Sequence, residues 1–87
     1  MWFIFISILE TDQEKQLVTK LYEEHSLACL HIAIKISKNQ ALAEDAVHNA
    51  FLEIVRKKEN FLYLSGSEFR SKIVIIVKNK VIDLLRF

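Results

Sequence analysis

Apolar residues recur along this chain at steps of three and four, the spacing that places them on one face of an α-helix. Three such runs, separated by polar segments, predict helices over about residues 12–36, 40–58 and 67–86. Pro is absent and Gly occurs once, at Gly66, so the chain has few of the residues that turns favour. The pattern therefore predicts an all-α fold, a compact three-helix bundle formed by a single domain over residues 1–87.

The first helix has a start signal as well as an apolar face. Thr11 and Glu14 have the spacing of a capping box, in which each side chain bonds the backbone N–H of the other residue. We interpret His25 as a packed, hydrogen-bonded histidine at the core edge, and Cys29 as a small buried hydrophobe. The predicted apolar face consists of Leu17, Val18, Leu21, Tyr22, His25, Ala28, Cys29, Ile32, Ala33 and Ile36.

The second and third helices follow polar segments that can cap them. Residues 37–40 form a turn of the length that joins antiparallel helices, and Asn39 or Ser37 can cap the second helix. Residues 59–67 form the one predicted loop, in which Ser65 with Glu68, or Ser67 alone, can cap the third helix. The apolar stripe predicted for the second helix is Leu42, Ala46, Val47, Ala50, Phe51, Ile54 and Val55.

The third helix is apolar nearly all round in its middle. Ile75 and Ile82 fall outside its core stripe, so we expect the helix to be central, or covered by a neighbour such as Met1–Leu9. The predicted core stripe is Phe69, Ile73, Ile76, Val77, Val81, Leu84 and Leu85.

The first nine residues are apolar apart from Ser7. They are too few to cross a bilayer, which takes about 20 residues, and they lack the basic start and cleavage site of a secretory signal. No membrane association is therefore expected. We expect a short extra element packed over the bundle, with self-association through Trp2–Leu9 as the alternative.

Few residues suggest catalysis. Cys29 is the only cysteine, and three scattered histidines have no metal-site spacing, so neither a disulfide nor a metal is expected. There is no phosphate-binding loop, no nucleophile beside a base and no convergent carboxylate cluster. The sequence indicates a binding module that is not an enzyme and needs no cofactor.

Charge is divided unevenly along the chain. Residues 1–55 contain four Lys and eight Asp or Glu, whereas residues 56–87 contain eight Lys or Arg and three Asp or Glu. Such asymmetry suggests two faces with different partners, one of them nucleic acid. A charge-balanced solvated surface explains the same counts equally well.

The polar end of the third helix has the spacing of a binding face. Asn79, Asp83 and Arg86 stand at i, i+4 and i+7 and share one side, where Asn and Arg can bond base edges. Lys and Arg can neutralise phosphates, and loop aromatics can stack on unpaired bases. The alternative is ordinary pairing of Asp83 with its helix neighbours.

Four segments, in this order and spacing, resemble region 2 of bacterial RNA polymerase sigma factors, closest to the group-four, extracytoplasmic-function type. They are LYEEH at 21–25, AEDAV at 43–47 running into AFL at 50–52, FR at 69–70, and KN at 78–79 followed by DLLR at 83–86.

The resemblance implies two binding surfaces, both used in transcription initiation in the cytoplasm. The second helix would dock on the clamp helices of the polymerase largest subunit through Glu44, Asp45, His48, Asn49, Glu53 and Arg56. The −10 promoter element, with a base flipped from the non-template strand, would be bound by the loop residues Asn60, Phe61, Tyr63, Ser65 and Ser67. It would also be bound by the helix residues Arg70, Lys72, Lys78, Asn79, Asp83 and Arg86.

The chain departs from the family pattern at several positions. The family usually has Gln-Glu where this chain has His48 and Asn49, a Trp where it has Lys72, and a basic residue where it has Ile75. These departures favour an alternative function, a helical interaction or self-association module that keeps the sigma-like shape. An antagonist protein (an anti-sigma factor) is a further partner that the resemblance allows.

Sigma factors of this type carry a linker and a helix-turn-helix domain that reads the −35 element. We expect the chain to be a fragment or truncated version of such a protein, with a small stand-alone relative as the alternative. A transcription factor with its own duplex-binding surface is a weaker option, since no helix-turn-helix turn is evident.

Overall fold

The computed structural model describes residues 11–86, and this part of the chain is all helical, with no strand. Four helices follow one another: α1 (Asp12–Ser37), α2 (Gln40–Arg56), α3 (Lys58–Phe61) and α4 (Gly66–Leu85). The predicted all-α fold is therefore confirmed. The expectations for Met1–Leu9, packing over the bundle or self-association, lie outside the described residues.

Each long helix begins at a side chain that bonds its first free backbone N–H groups. Thr11 and Glu14 form the predicted capping box of α1, and Ser65 and Glu68 form that of α4. Asn39 starts α2, because its Oδ1 accepts a hydrogen bond from the Leu42 N–H at 3.0 Å. These caps confirm that local sequence sets where the helices begin.

The core lies where α1, α2 and α4 meet, since each of the three packs against the other two. Phe51 of α2 is fully buried between the Tyr22 ring, 5.0 Å away and nearly edge-on, and the Phe69 ring at 6.5 Å. Such tilted ring pairs add to the stabilisation that apolar burial already provides. Ile54 and Ile73 are also fully buried in this core.

Cys29 is buried in the same core, as predicted. Desolvation raises the pKa of its thiol to about 11, against a smaller opposing effect of the Arg70 charge. The side chain therefore stays a neutral thiol at ordinary pH and behaves as a small hydrophobe.

The predicted loop over 59–67 was wrong in its first half. Helix α3 occupies Lys58–Phe61 there, and both Phe61 and Leu62 are buried in the core. Burying these two side chains brings the backbone inward, where a helical turn satisfies its polar groups; the Leu62 N–H donates to the Lys58 carbonyl at 3.0 Å. Lys58 consequently belongs to α3, not to the last turn of α2.

Two side chains predicted in the core are exposed. Ile36 lies in the last turn of α1, and Leu85 is the last residue of α4. A terminal turn has fewer neighbours to cover it than the middle of a helix, so periodicity alone overestimates burial there. None of the helices formed by residues 11–86 combines the length and hydropathy that a bilayer span requires.

Candidate functional site

Helix α4 has a buried side, which is formed by a line of core residues, and a side that faces solvent. Phe69, Ile73, Val77 and Val81 recur every four residues and are all fully buried. The opposite side presents exposed polar side chains, which are Lys72, Lys78, Asn79, Asp83 and Arg86. Most of the polar residues predicted on this helix therefore share one solvent-facing surface, which we call the outer face.

Asp83 on this outer face does not pair as the alternative interpretation required. No side-chain hydrogen bond or ion pair joins it to Asn79 or to Arg86; the bond between Asp83 and Arg86 is a backbone one, from the Arg86 N–H to the Asp83 carbonyl at 3.4 Å. Lys72, Lys78 and Arg86 likewise form no ion pair with any residue between 11 and 86. Their charges are available to an external anion.

Apolar side chains interrupt the same surface. Ile75 is 60% exposed and stands three residues from both Lys72 and Lys78, so it lies beside them on the helix. Ile82 is exposed as well, four residues from Lys78. The outer face is thus basic and apolar together, which differs from an ordinary solvated helix surface.

Lys80 is turned away from this surface toward α2. Its Nζ lies 3.0 Å from Oε1 of Glu53, and both side chains are more than two-thirds buried. Glu53 is one of the residues predicted to bind polymerase, so one of those carboxylates is already paired within the domain. This link between α2 and α4 was not foreseen from the sequence.

Arg70, near the start of α4, is held by a residue from another helix. Its Nε–H donates to Nδ1 of His25 in α1, at 2.9 Å. His25 is 6% exposed, and its ring lies 5.0 Å from that of Phe69. The interpretation of His25 as a packed, hydrogen-bonded histidine is confirmed.

The His25 imidazole is held in its neutral form. Burial lowers its pKa most, the Arg70 charge lowers it further, and the Glu24 carboxylate opposes both. Because Nδ1 accepts a hydrogen bond, the proton of the neutral ring is assigned to Nε2. Glu24 Oε2 lies 3.9 Å from this Nε2, which is beyond hydrogen-bonding distance.

The two aromatic residues predicted for the capture loop occupy opposite environments. Tyr63 is 77% exposed, whereas Phe61 is 8% exposed and packs in the core. Only Tyr63 can present its ring to a base in this conformation. Asn60, Ser65 and Ser67 are exposed too, although the Ser65 hydroxyl already accepts the Glu68 N–H as the α4 cap.

Glu68 belongs to the same cap. Hydrogen bonds from Ser65, first from its backbone and then from its side chain, lower the pKa of the Glu68 carboxyl, and the Lys72 charge adds to this. An ionised Glu68 therefore completes the start of α4. Its negative charge also lies one turn from Lys72 of the outer face.

The polar side of α2 presents the remaining residues predicted to bind polymerase. Glu44, Asp45, Asn49 and Arg56 are exposed, and His48 is half-buried. Glu44 and His48 line a groove of about 330 Å³ between α1 and α2, and its other lining residues are Tyr22, Ser26, Leu27, Leu30 and Val47. Leu27 is 63% exposed there. It was missed in the sequence because it falls outside the apolar stripe of α1.

Within residues 11–86, no three His, Cys, Asp or Glu side chains come together to hold a metal ion. The chemistry that this part of the chain offers is that of binding: cations, amides and an exposed tyrosine on one side, and carboxylates beside an apolar groove on another. The fold and these surfaces define a small helical binding domain.

The sequence model of the Sigma-70 region 2 family matches residues 21–87. The chain therefore belongs to the Sigma-70 region 2 family, as the four segments predicted. The match begins at Leu21, inside α1, and includes all of α2, α3 and α4. Comparisons with curated proteins and with solved structures found no match.

Family membership supports a sigma-factor role in RNA polymerase binding and promoter recognition at transcription initiation. The family is not enzymatic. The assignment to the extracytoplasmic-function type stays a prediction, since the family match does not distinguish the types.

Proposed function

We propose that this domain binds the single-stranded −10 element of a promoter through the outer face of α4 and the loop before it. At the same time, α2 docks on the clamp helices of the polymerase largest subunit. The domain acts by binding energy alone, with the polymerase in the cytoplasm. The observation that carries the proposal is the outer face itself, where polar and basic side chains lie opposite an unbroken line of core residues.

The charges of the outer face support contact with the DNA backbone. Lys72, Lys78 and Arg86 are exposed, and none forms an ion pair with a described residue. Each can replace a counterion at a phosphate, so DNA binding should weaken as salt rises. Lys80 contributes little to this, because Glu53 already neutralises it.

The groups that could recognise an unpaired base lie in the loop before α4 and on the outer face of α4. Tyr63 exposes its ring beside the cap of α4, and such rings stack on bases of any identity. Asn79 offers an amide that both donates and accepts, as base edges require. Phe61 was predicted in this role, but its ring is buried, so the proposal assigns it to the support of the loop.

The polymerase surface is proposed for the polar side of α2. Glu44 and Asp45 are exposed acids there, next to Asn49, and the apolar groove beside them includes Leu27. A surface with exposed carboxylates at its rim and apolar side chains at its centre has the composition of protein interfaces.

The test measures the binding of the chain to a fluorescently labelled single strand with a −10-like sequence, by anisotropy at several salt concentrations. We expect tighter binding to the single strand than to a charge-matched duplex. Asn79→Ala and Arg86→Ala should each weaken binding by about tenfold, given 1–3 kcal/mol for a good base contact. Lys20→Gln, which removes an exposed cation of α1, is the matched control and should have little effect.

Equal affinity for single strand and duplex, with neither substitution having an effect, would refute base capture. If the single strand is preferred but the two substitutions leave affinity unchanged, the binding surface lies elsewhere than the outer face of α4.

A second candidate function is a protein-interaction module that uses the same face. The observation in its favour is the exposure of Ile75, Ile82 and Leu85 on α4. A second copy of the chain, or an anti-sigma antagonist, would cover these side chains. Light scattering coupled to size exclusion distinguishes the two functions: a tight dimer that Ile75→Ser dissociates would count against DNA binding by this face.

A further inference from the structure

The contact between His25 and Arg70 joins a buried side chain of α1 to an exposed residue of the proposed DNA surface. We propose that His25 is a positioning residue, which holds the Arg70 guanidinium at the start of α4 so that its terminal N–H groups meet a nucleic-acid phosphate. The inference rests on the proposed function, since it assumes that this end of α4 faces DNA.

The hydrogen bond uses the single Nε donor of the guanidinium and leaves both terminal nitrogens for a phosphate. Arginine has five N–H donors in a planar fork, and His25 Nδ1 takes the single one on Nε. The four N–H groups on the two terminal nitrogens have no partner between residues 11 and 86. With Nε engaged by His25, the two terminal nitrogens can still form the paired, end-on set of bonds with a phosphate.

The acceptor is rigid, which is what positioning requires. His25 is 6% exposed and packs against the ring of Phe69, the residue next to Arg70 in the chain. Its ring is neutral, so Nδ1 remains an acceptor for the Arg70 Nε–H. An unanchored surface arginine loses side-chain entropy when it binds, and an anchored one has already lost part of it.

The position of Arg70 in the fold suits the role. It lies in the second turn of α4, four residues after Gly66, the first residue of the helix. The exposed Tyr63 stands just before that start. A guanidinium fixed here lies near the backbone of a strand whose base stacks on Tyr63.

A purely structural role for the same hydrogen bond is the alternative, and two substitutions of His25 separate the two roles. His25→Phe keeps an aromatic ring against Phe69 but removes the acceptor. His25→Asn loses the ring but keeps an acceptor oxygen near the place of Nδ1. If the bond positions Arg70, His25→Asn binds the labelled single strand more tightly than His25→Phe, although it is the less stable of the two by thermal unfolding.

The substitution Arg70→Gln tests whether the Arg70 guanidinium contacts a phosphate of the bound strand. We expect it to weaken single-strand binding and to reduce the slope of log affinity against log salt by about 0.7, the value for one phosphate on a single strand. His25→Phe should weaken binding about two- to tenfold, in line with the cost of immobilising one long side chain. In the Arg70→Gln background, His25→Phe should have no further effect on affinity. All variants are compared at a temperature where circular dichroism shows them folded.

The outcomes separate this inference from the function on which it rests. If wild type binds the single strand but Arg70→Gln changes neither affinity nor slope, Arg70 does not contact DNA and the inference is overturned while the proposed function stands. If Arg70→Gln weakens binding but His25→Phe does not, or if His25→Phe is the tighter binder of the two His25 variants, positioning by His25 is overturned. Absence of single-strand binding by wild type overturns both.

Discussion

Helices α2 and α4 are the two elements proposed to contact partners, and they use their apolar residues differently. In α2 every large apolar side chain is buried or half-buried, and the exposed positions are polar or alanine. In α4 four apolar residues form the buried line, while Ile75, Ile82 and Leu85 are exposed. The apolar pattern of α2 is fully explained by the core, whereas that of α4 is not.

The difference shows that a helix rich in apolar residues is not necessarily covered by other parts of the protein on all sides. The sequence predicted that α4 would be central or covered, and between residues 11 and 86 nothing covers its outer face. Three exposed apolar side chains among cations cost little in a folded monomer, since single exposed hydrophobes are common. Because all three lie on one helix, they give that surface an apolar content that is not needed for folding.

The largest effect that tests this comparison is the loss of a buried isoleucine. Ile73 of α4 and Ile54 of α2 are both fully buried, and changing either to Ala should lower the free energy of unfolding by about 2–5 kcal/mol. Ile75→Ala, two residues from Ile73, should change it by no more than about 0.5 kcal/mol. Urea unfolding followed by circular dichroism provides all three values. If Ile75→Ala lowers the free energy of unfolding by as much as the core substitutions, some part of the chain covers the outer face.

An intermediate effect is expected at the helix starts. Ser65→Ala removes the side chain that caps α4, and Asn39→Ala removes the one that caps α2, so each should cost about 0.5–2 kcal/mol. The same unfolding measurement applies, with Ser67→Ala as the control, since the Ser67 hydroxyl is not the cap acceptor. If Ser67→Ala lowers the free energy of unfolding as much as Ser65→Ala does, Ser65 is not the sole cap, and Ser67, the alternative that the sequence allowed, contributes to it.

The smallest effect concerns the link between the two helices. A double-mutant cycle on Glu53→Gln and Lys80→Gln should give a coupling of about 1 kcal/mol or less, because a partly exposed ion pair contributes little. The coupling should decrease as salt is added. Lys78→Gln combined with Glu53→Gln is the control and should show none, since Lys78 faces outward. A coupling there would show that the outer face and α2 interact electrostatically.

Much of the fold could be predicted because its signals are local. Thr11 with Glu14, and Ser65 with Glu68, are three residues apart, and their capping geometry depends on little beyond that spacing. The core lines follow from helical periodicity in the same way. The errors fall where periodicity fails, at the ends of α1 and α4 and in the segment that α3 occupies.

Most of the polar residues predicted for the site on α2 and α4 are exposed, but the sequence could not show which of them are already paired within the domain. Phe61 is an example, since its place in an aromatic loop gave no sign that its ring would be buried. Its binding role depended on whether this segment folds inward, and that is decided by how the core packs.

By itself, then, the sequence determined the helical class, the helix starts and most of the core, and through its four segments the family, because those features depend on residues close together in the chain. Only the tertiary structure decided the contacts between distant residues. Arg70 reaches His25 across 45 positions, and Lys58 reaches Glu14 across 44. Such pairs form only when particular faces of two helices meet, and that depends on how all the core side chains pack together. For the same reason, the cations left for a partner could be identified only after those that pair within the domain were known.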